Sequence, residues 1–122
     1  MITLGIDYGK ARIGVAVAQT PLAEPVGVIN NDPEAVAKIN QLAQDYGAEL
    51  IVVGISEGNM AEKSREFGRQ LGLKVIYHDE TLTSQQAAAN LAHKSRQFRS
   101  QPQDAYQAAV MLQDWLDSQS TS

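Results

Sequence analysis

The chain has 122 residues, enough for one domain with a real core and too few for an enzyme of two lobes. It contains no cysteine, which excludes disulfides and thiolate metal sites and fits a reducing cytoplasm. Its net charge of −4 speaks against a broad basic footprint for nucleic acid, although an acidic catalytic pocket would itself lower the total.

The N-terminus shows no basic region followed by a long apolar run, and no segment approaches the roughly 20 apolar residues of a membrane span. The expectation is a cytoplasmic protein with no membrane association. Residues 2–7 (ITLGID) alternate Ile2, Leu4 and Ile6 with Thr3, Gly5 and Asp7, the period of a strand with two different faces. Residues 12–18 repeat the pattern, and the short turn YGKA between them predicts a hairpin. PVGVIN at 25–30 predicts a third, shorter strand of a meander. Asp32 as cap, Pro33 at the first helical position and Glu34 near the positive dipole end predict a helix that Gly47 ends. Val36, Ile39, Leu42 and Ala43 form its buried stripe.

ELIVVG at 49–54 is a continuous apolar run, as expected of a central strand covered on both faces. A helix over about 60–71 stops at Gly72, and KVIYHDE at 74–80 predicts another strand. Thr83 to Gln86 has capping-box spacing and opens an alanine-rich helix to about His93. A polar stretch, KSRQFRSQPQ, separates it from a last helix over about 104–117. The order predicts one α/β domain over residues 1–122. Right-handed crossovers place the later strands parallel to the first, which gives a five-stranded mixed sheet flanked by helices.

Three carboxylates stand where such a fold does chemistry. Ligands gather beyond the carboxyl ends of parallel strands, and Asp7 ends the first strand while Asp79 and Glu80 end the last. A bland reading makes Asp79 and Glu80 a solvated strand end. Asp104 shares a helix face with Ala108, Met111 and Trp115, whereas Asp114 and Asp117 fall on the polar side. A carboxylate on an apolar face needs a cation or hydrogen bonds, but Asp104 could also serve as an N-cap. Together Asp7, Glu80 and Asp104 offer hard oxygen ligands suited to Mg²⁺ or Mn²⁺, without a His-Cys cluster that would suggest zinc. Such ions can activate water and stabilise the leaving oxygen in phosphodiester hydrolysis. Gly5, Gly9, Gly14 and Ala16 beside Asp7 would let a nucleic-acid backbone come close.

Four blocks in order, GIDYGKARIGVAVA, IVVG, HDETLTS and DAYQAAVMLQDWL, resemble the signature blocks of the RuvX/YqgF family, small bacterial relatives of the Holliday-junction resolvase RuvC. The resemblance covers nearly the whole chain. It implies a ribonuclease H-like fold and a metal-dependent nuclease that matures the 5′ end of pre-16S ribosomal RNA or, alternatively, resolves Holliday junctions. By motif position the catalytic acids it implies are Asp7, Glu80 and Asp104. Three departures stand out: Thr81 where the family has arginine, GISEGNM in place of its GLP-containing turn, and Gln101, Pro102 and Gln103 in place of basic residues. They leave the acids intact and bear on substrate grip.

Grip could come from Lys10 and Arg12 at the first turn, and from Lys94, Arg96 and Arg99 around Phe98, where cations hold phosphates and the ring stacks on a base. The alternative is a polar loop with Phe98 tucked under the domain. Glu57 in the departing turn reads as a solvated loop residue or an extra ligand. Lys63, Arg65 and Arg69 read as a solvated helix face, and His78 as a structural residue. Structured RNA is the partner the resemblance favours, with branched DNA as the alternative. Two other classes compete. Sugar kinases and actin-like ATPases open with a similar hairpin but need a second lobe to enclose ATP. A non-catalytic nucleic-acid-binding module would favour a basic surface.

Overall fold

A computed structural model describes residues 1–55, 59–79 and 102–120. Strands β1 (Thr3–Tyr8), β2 (Arg12–Ala18) and β3 (Ala23–Asn30) form an antiparallel meander. Helix α1 (Ala35–Tyr46) leads to β4 (Leu50–Ile55), and α2 (Asn59–Gly68) leads to β5 (Val75–Asp79). Helix α3 (Gln103–Ser120) closes the described part of the chain. The five strands make one sheet in the order β3-β2-β1-β4-β5, with β4 parallel to both β1 and β5. The expected mixed sheet is the observed one.

The alternation read in the sequence divides the sheet into two unlike faces. Leu4, Ile6, Ile13, Val15, Val17, Ile51 and Val53 pack with Ile39 of α1 and Phe67 of α2. On the other face Ala16, Ala18 and Val52 pack with Ala108, Met111, Leu112 and Trp115 of α3. That second face is small by necessity. A Cβ on Gly5 would lie 2.9 Å from the Leu112 Cβ, and one on Gly14 would collide with the backbone carbonyl of Asp104. Gly5 and Gly14 thus serve the close approach of α3, where the sequence suggested an approaching nucleic-acid backbone.

Element boundaries differ from the pattern in three instructive places. Helix α1 starts at Ala35 because the Asp32 carboxylate accepts from the Glu34 N–H at 2.9 Å and closes a turn ahead of it. Gly47, at φ 72°, ends it in the left-handed region as expected. Strand β3 begins at Ala23, two residues before the pattern starts. Pro25 fits there because β3 is an edge strand, where a missing N–H costs no ladder bond, and the register shifts next to it. Helix α2 ends at Gly68, whose bare backbone meets the Tyr77 ring, and the chain continues to Leu71 in tighter turns.

Candidate active site

The site is built on the carboxyl edge of the parallel strands. Asp7 is paired in register with Gly14 on one side and Gly54 on the other, and Gly54 with His78. Residues directly opposite in a sheet share a face, so Gly14, Asp7, Gly54 and His78 form a row facing α3. Helix α3 is seated on one end of this row, with the Asp104 carbonyl against Gly14, and is bonded to the other end, where Asp114 Oδ2 meets His78 Nε2 at 2.7 Å. Asp7 lies between these two anchors. By register Asp7 therefore faces the side of the sheet on which the Asp104 backbone is seated, and that seat depends on the absence of a side chain at Gly14.

Asp104 lies in the first turn of α3 rather than ahead of it, where a carboxylate also favours the positive dipole end. Its Oδ2 accepts from Arg12 Nε at 3.1 Å, across from the first residue of β2. The capping alternative loses its premise, since the carboxylate is turned toward β2. Arg12, 67% exposed along its side chain, is an ion-pair partner and more than a solvated cation. Lys10, at the tip of the same turn, is exposed and makes no ion pair with the described residues. The turn is held from outside: Asn31 Nδ2 donates to the Gly9 carbonyl at 2.8 Å, and the Asn31 N–H to the Ala11 carbonyl at 3.0 Å.

Several anchors of α3 have no local signature in the sequence. Gln113, 1% exposed, accepts from the Ala23 N–H at 2.9 Å and donates to the Pro21 carbonyl at 3.1 Å and to Asp117 at 3.0 Å. It ties the helix to the β2–β3 turn. Asp114 is buried against His78, although the helical period assigns it to the polar side. The wheel counts α3's own residues and knows nothing of β5. Lys63, Arg65 and Arg69 are exposed on α2, as expected of a solvated face, with Arg69 3.8 Å from Glu62.

Glu80, Glu57, Thr81, Lys94, Arg96, Phe98 and Arg99 lie outside the described residues. Among the described residues no group of three His, Cys, Asp or Glu side chains is close enough to hold a metal ion. What the described part contributes is a pair of hard oxygen donors, Asp7 and Asp104, and cations beside them. This chemistry fits Mg²⁺ or Mn²⁺ and does not resemble a zinc set. A cleft of about 400 Å³, lined by Asn40, Ala43, Gln44, Ala48, Gly72 and Leu73, sits at the amino end of β4 and β5.

Comparison with known proteins decides the family. The model described as "RuvX: Holliday junction resolvase" matches residues 1–118. The chain belongs to the RuvX family. A RuvX relative from Anaeromyxobacter dehalogenans (strain 2CP-1 / ATCC BAA-258), named "Putative pre-16S rRNA nuclease", is 38% identical over 96% of this chain and 97% of its own. Relatives of the same name from Azotobacter vinelandii and Sulfurihydrogenibium are 35% and 33% identical, over 94% and 98% of this chain and 92% of each of theirs. Among solved structures, Thermus thermophilus RuvC in complex with a Holliday junction substrate superposes with a TM-score of 0.66 at 16% identity, covering 98% of this chain and 96% of that one. The fowlpox virus Holliday junction resolvase gives 0.59 at 14% identity, covering 97% and 99%. At such identities the likeness is one of fold, and it makes the sheet of this RuvX chain ribonuclease H-like. No helix among the described residues is long and apolar enough to cross a membrane.

Proposed function

We propose that this RuvX protein is a Mg²⁺- or Mn²⁺-dependent endonuclease that hydrolyses phosphodiester bonds in maturing the 5′ end of pre-16S ribosomal RNA. One observation carries the reading: in a chain of this family, Asp7 and Asp104 stand on one side of the carboxyl edge of the parallel strands, with Arg12 and Lys10 at the adjoining turn. The names of relatives at 33–38% identity support the RNA substrate.

In this reading Asp7, Glu80 and Asp104 hold the metal, and Asp7 is offered from a strand paired with neighbours on both sides. A bound divalent ion supplies the activation of water and the stabilisation of the leaving oxygen. Lys10 and Arg12 bind phosphates beside the scissile bond, and Arg12 suits this because a guanidinium matches a phosphate with two parallel hydrogen bonds. Lys94, Arg96 and Arg99 grip the backbone farther along while Phe98 stacks on a base. Gly14 and the Asn31 clamp keep the acids and the turn in register. The whole chain, 1–122, acts as one cytoplasmic domain.

A second reading is favoured by the family description and by the fold shared with junction resolvases. In it the same acids cut branched DNA, and paired cuts in a four-way junction require two copies of the chain. Both readings are tested with the full chain, Mg²⁺ or Mn²⁺, an rRNA precursor end and a synthetic four-way junction. Metal-dependent cleavage of the precursor, lost in Asp7→Asn with the fold intact, supports the first reading. Cleavage of the junction alone supports the second. Cleavage by neither, or undiminished cleavage by Asp7→Asn, rejects the assignment of these acids.

A further inference from the structure

The two cations of the β1–β2 turn are used differently. Lys10 extends from the tip into solvent, whereas Arg12 gives its Nε to Asp104 Oδ2 at 3.1 Å. That contact joins two residues to which the proposed reaction gives separate tasks, a metal ligand and a phosphate contact. A divalent ion on Asp104 would sit beside a guanidinium already bound there, and two cations repel at such a distance. One must give way.

We infer that Arg12 is a stand-in cation for Asp104: it neutralises and holds the carboxylate, competes with divalent metal for it, and when displaced turns its guanidinium to a phosphate of the nucleic acid. The inference rests on the reading of Asp104 as a ligand. Three features support it. The Asp104 backbone is seated on Gly14, across the strand pair from Asp7, so the start of α3 is fixed where its carboxylate meets the Arg12 guanidinium. The pair is exposed, 67% at Arg12 and 38% at Asp104, and exposed pairs are weak enough for a divalent ion to displace. A guanidinium matches a phosphate with two parallel hydrogen bonds, so a displaced Arg12 has a partner on the nucleic acid. Metal and substrate then assist each other, because each removes the other's competitor, and the coupling is reciprocal by linkage.

The test reads metal binding rather than cleavage. Mn²⁺ alone is titrated calorimetrically into the full chain and into Arg12→Gln, Lys10→Gln and Asp104→Asn. Arg12→Gln should bind about two- to five-fold more tightly, the fold-change that releasing an exposed ion pair allows. Lys10→Gln should gain less, since it removes equal charge without a pair, and Asp104→Asn should lose at least about ten-fold. In the unaltered protein the Arg12 Nε–H resonance should move as Mg²⁺ is added, and should stay in place in Asp104→Asn. If Arg12→Gln binds no more tightly, or Lys10→Gln gains as much, while Asp104→Asn still loses affinity, the stand-in role is overturned and the ligand role of Asp104 survives. Asp104→Asn that binds Mn²⁺ like the unaltered chain overturns both. A stationary Arg12 resonance overturns the exchange without recourse to any variant.

Discussion

The two faces of the sheet carry the same strands and opposite designs. Toward α1 and α2 the side chains are large and branched, Leu4, Ile6, Ile13, Val15 and Val17 among them, and they fill a conventional core. Toward α3 the same strands offer Gly5, Gly14, Ala16 and Ala18, so that helix and sheet meet almost backbone to backbone. The first face stores stability in many interchangeable contacts. The second gives up side-chain volume so that the start of α3 can close onto β2 at Gly14. A packed core tolerates the loss of one group with a graded cost, whereas a fit set by backbone atoms has no side chain that can yield.

Substitutions that act on one face and spare the other would break or sharpen this contrast. The largest loss of stability is expected from Ile39→Ala, which opens a cavity in the α1 face: about 2–5 kcal/mol in urea unfolding, with metal affinity unchanged in the folded protein. Gly14→Ala should cost less, about 1–3 kcal/mol, because a methyl forces apart two backbones, yet it should remove cleavage by shifting Asp104. A Gly14→Ala protein with normal activity would refute the idea that this glycine sets the site. Gln113→Ala leaves the Ala23 N–H buried without its acceptor and should cost about 1–3 kcal/mol, read in thermal melts. Its effect on cleavage should be small, since the tie is at the β2–β3 turn and not at the acids. Smallest is Gly27→Ala on the edge strand, where no atom lies within 4 Å of the new methyl. It should leave cleavage intact and stability unchanged, or raise it by up to about 1 kcal/mol through a less flexible unfolded chain. The ratio of activity lost to stability lost, compared between Ile39→Ala and Gly14→Ala, measures how far the two faces are separate.

Much of this was legible from local pattern. Alternation in residues 2–7 and 12–18 marks the hairpin and assigns Leu4, Ile6, Ile13 and Val15 to one face, and the unbroken run 49–54 marks a strand covered on both sides, as β4 is. Gly47 marks the end of α1 because only a residue without Cβ takes φ 72° at no cost. Asp7 and Asp104 stand out as acids next to small or apolar neighbours. Other features leave no trace in any short window. The helical wheel assigns Asp114 to solvent, but His78 is brought over it by a strand distant in sequence. Nothing near Asn31 foretells its hold on the Gly9 carbonyl, and nothing near Gln113 its hold on Ala23.

By itself, then, the sequence determined the order and type of the described elements and the two-faced character of the strands, and it singled out Asp7 and Asp104 as candidate acids. Each of these is written in residues a few positions apart, through periodicity, caps and side-chain chemistry. The tertiary structure alone decided that Gly14 is the seat of α3, that Arg12 closes on Asp104, and that Asp114 is buried while Asp104 stays within reach of solvent. Those outcomes depend on which distant backbones meet and how closely. That is settled by the helix docking against the glycines of a twisted sheet, a contact that no local pattern encodes.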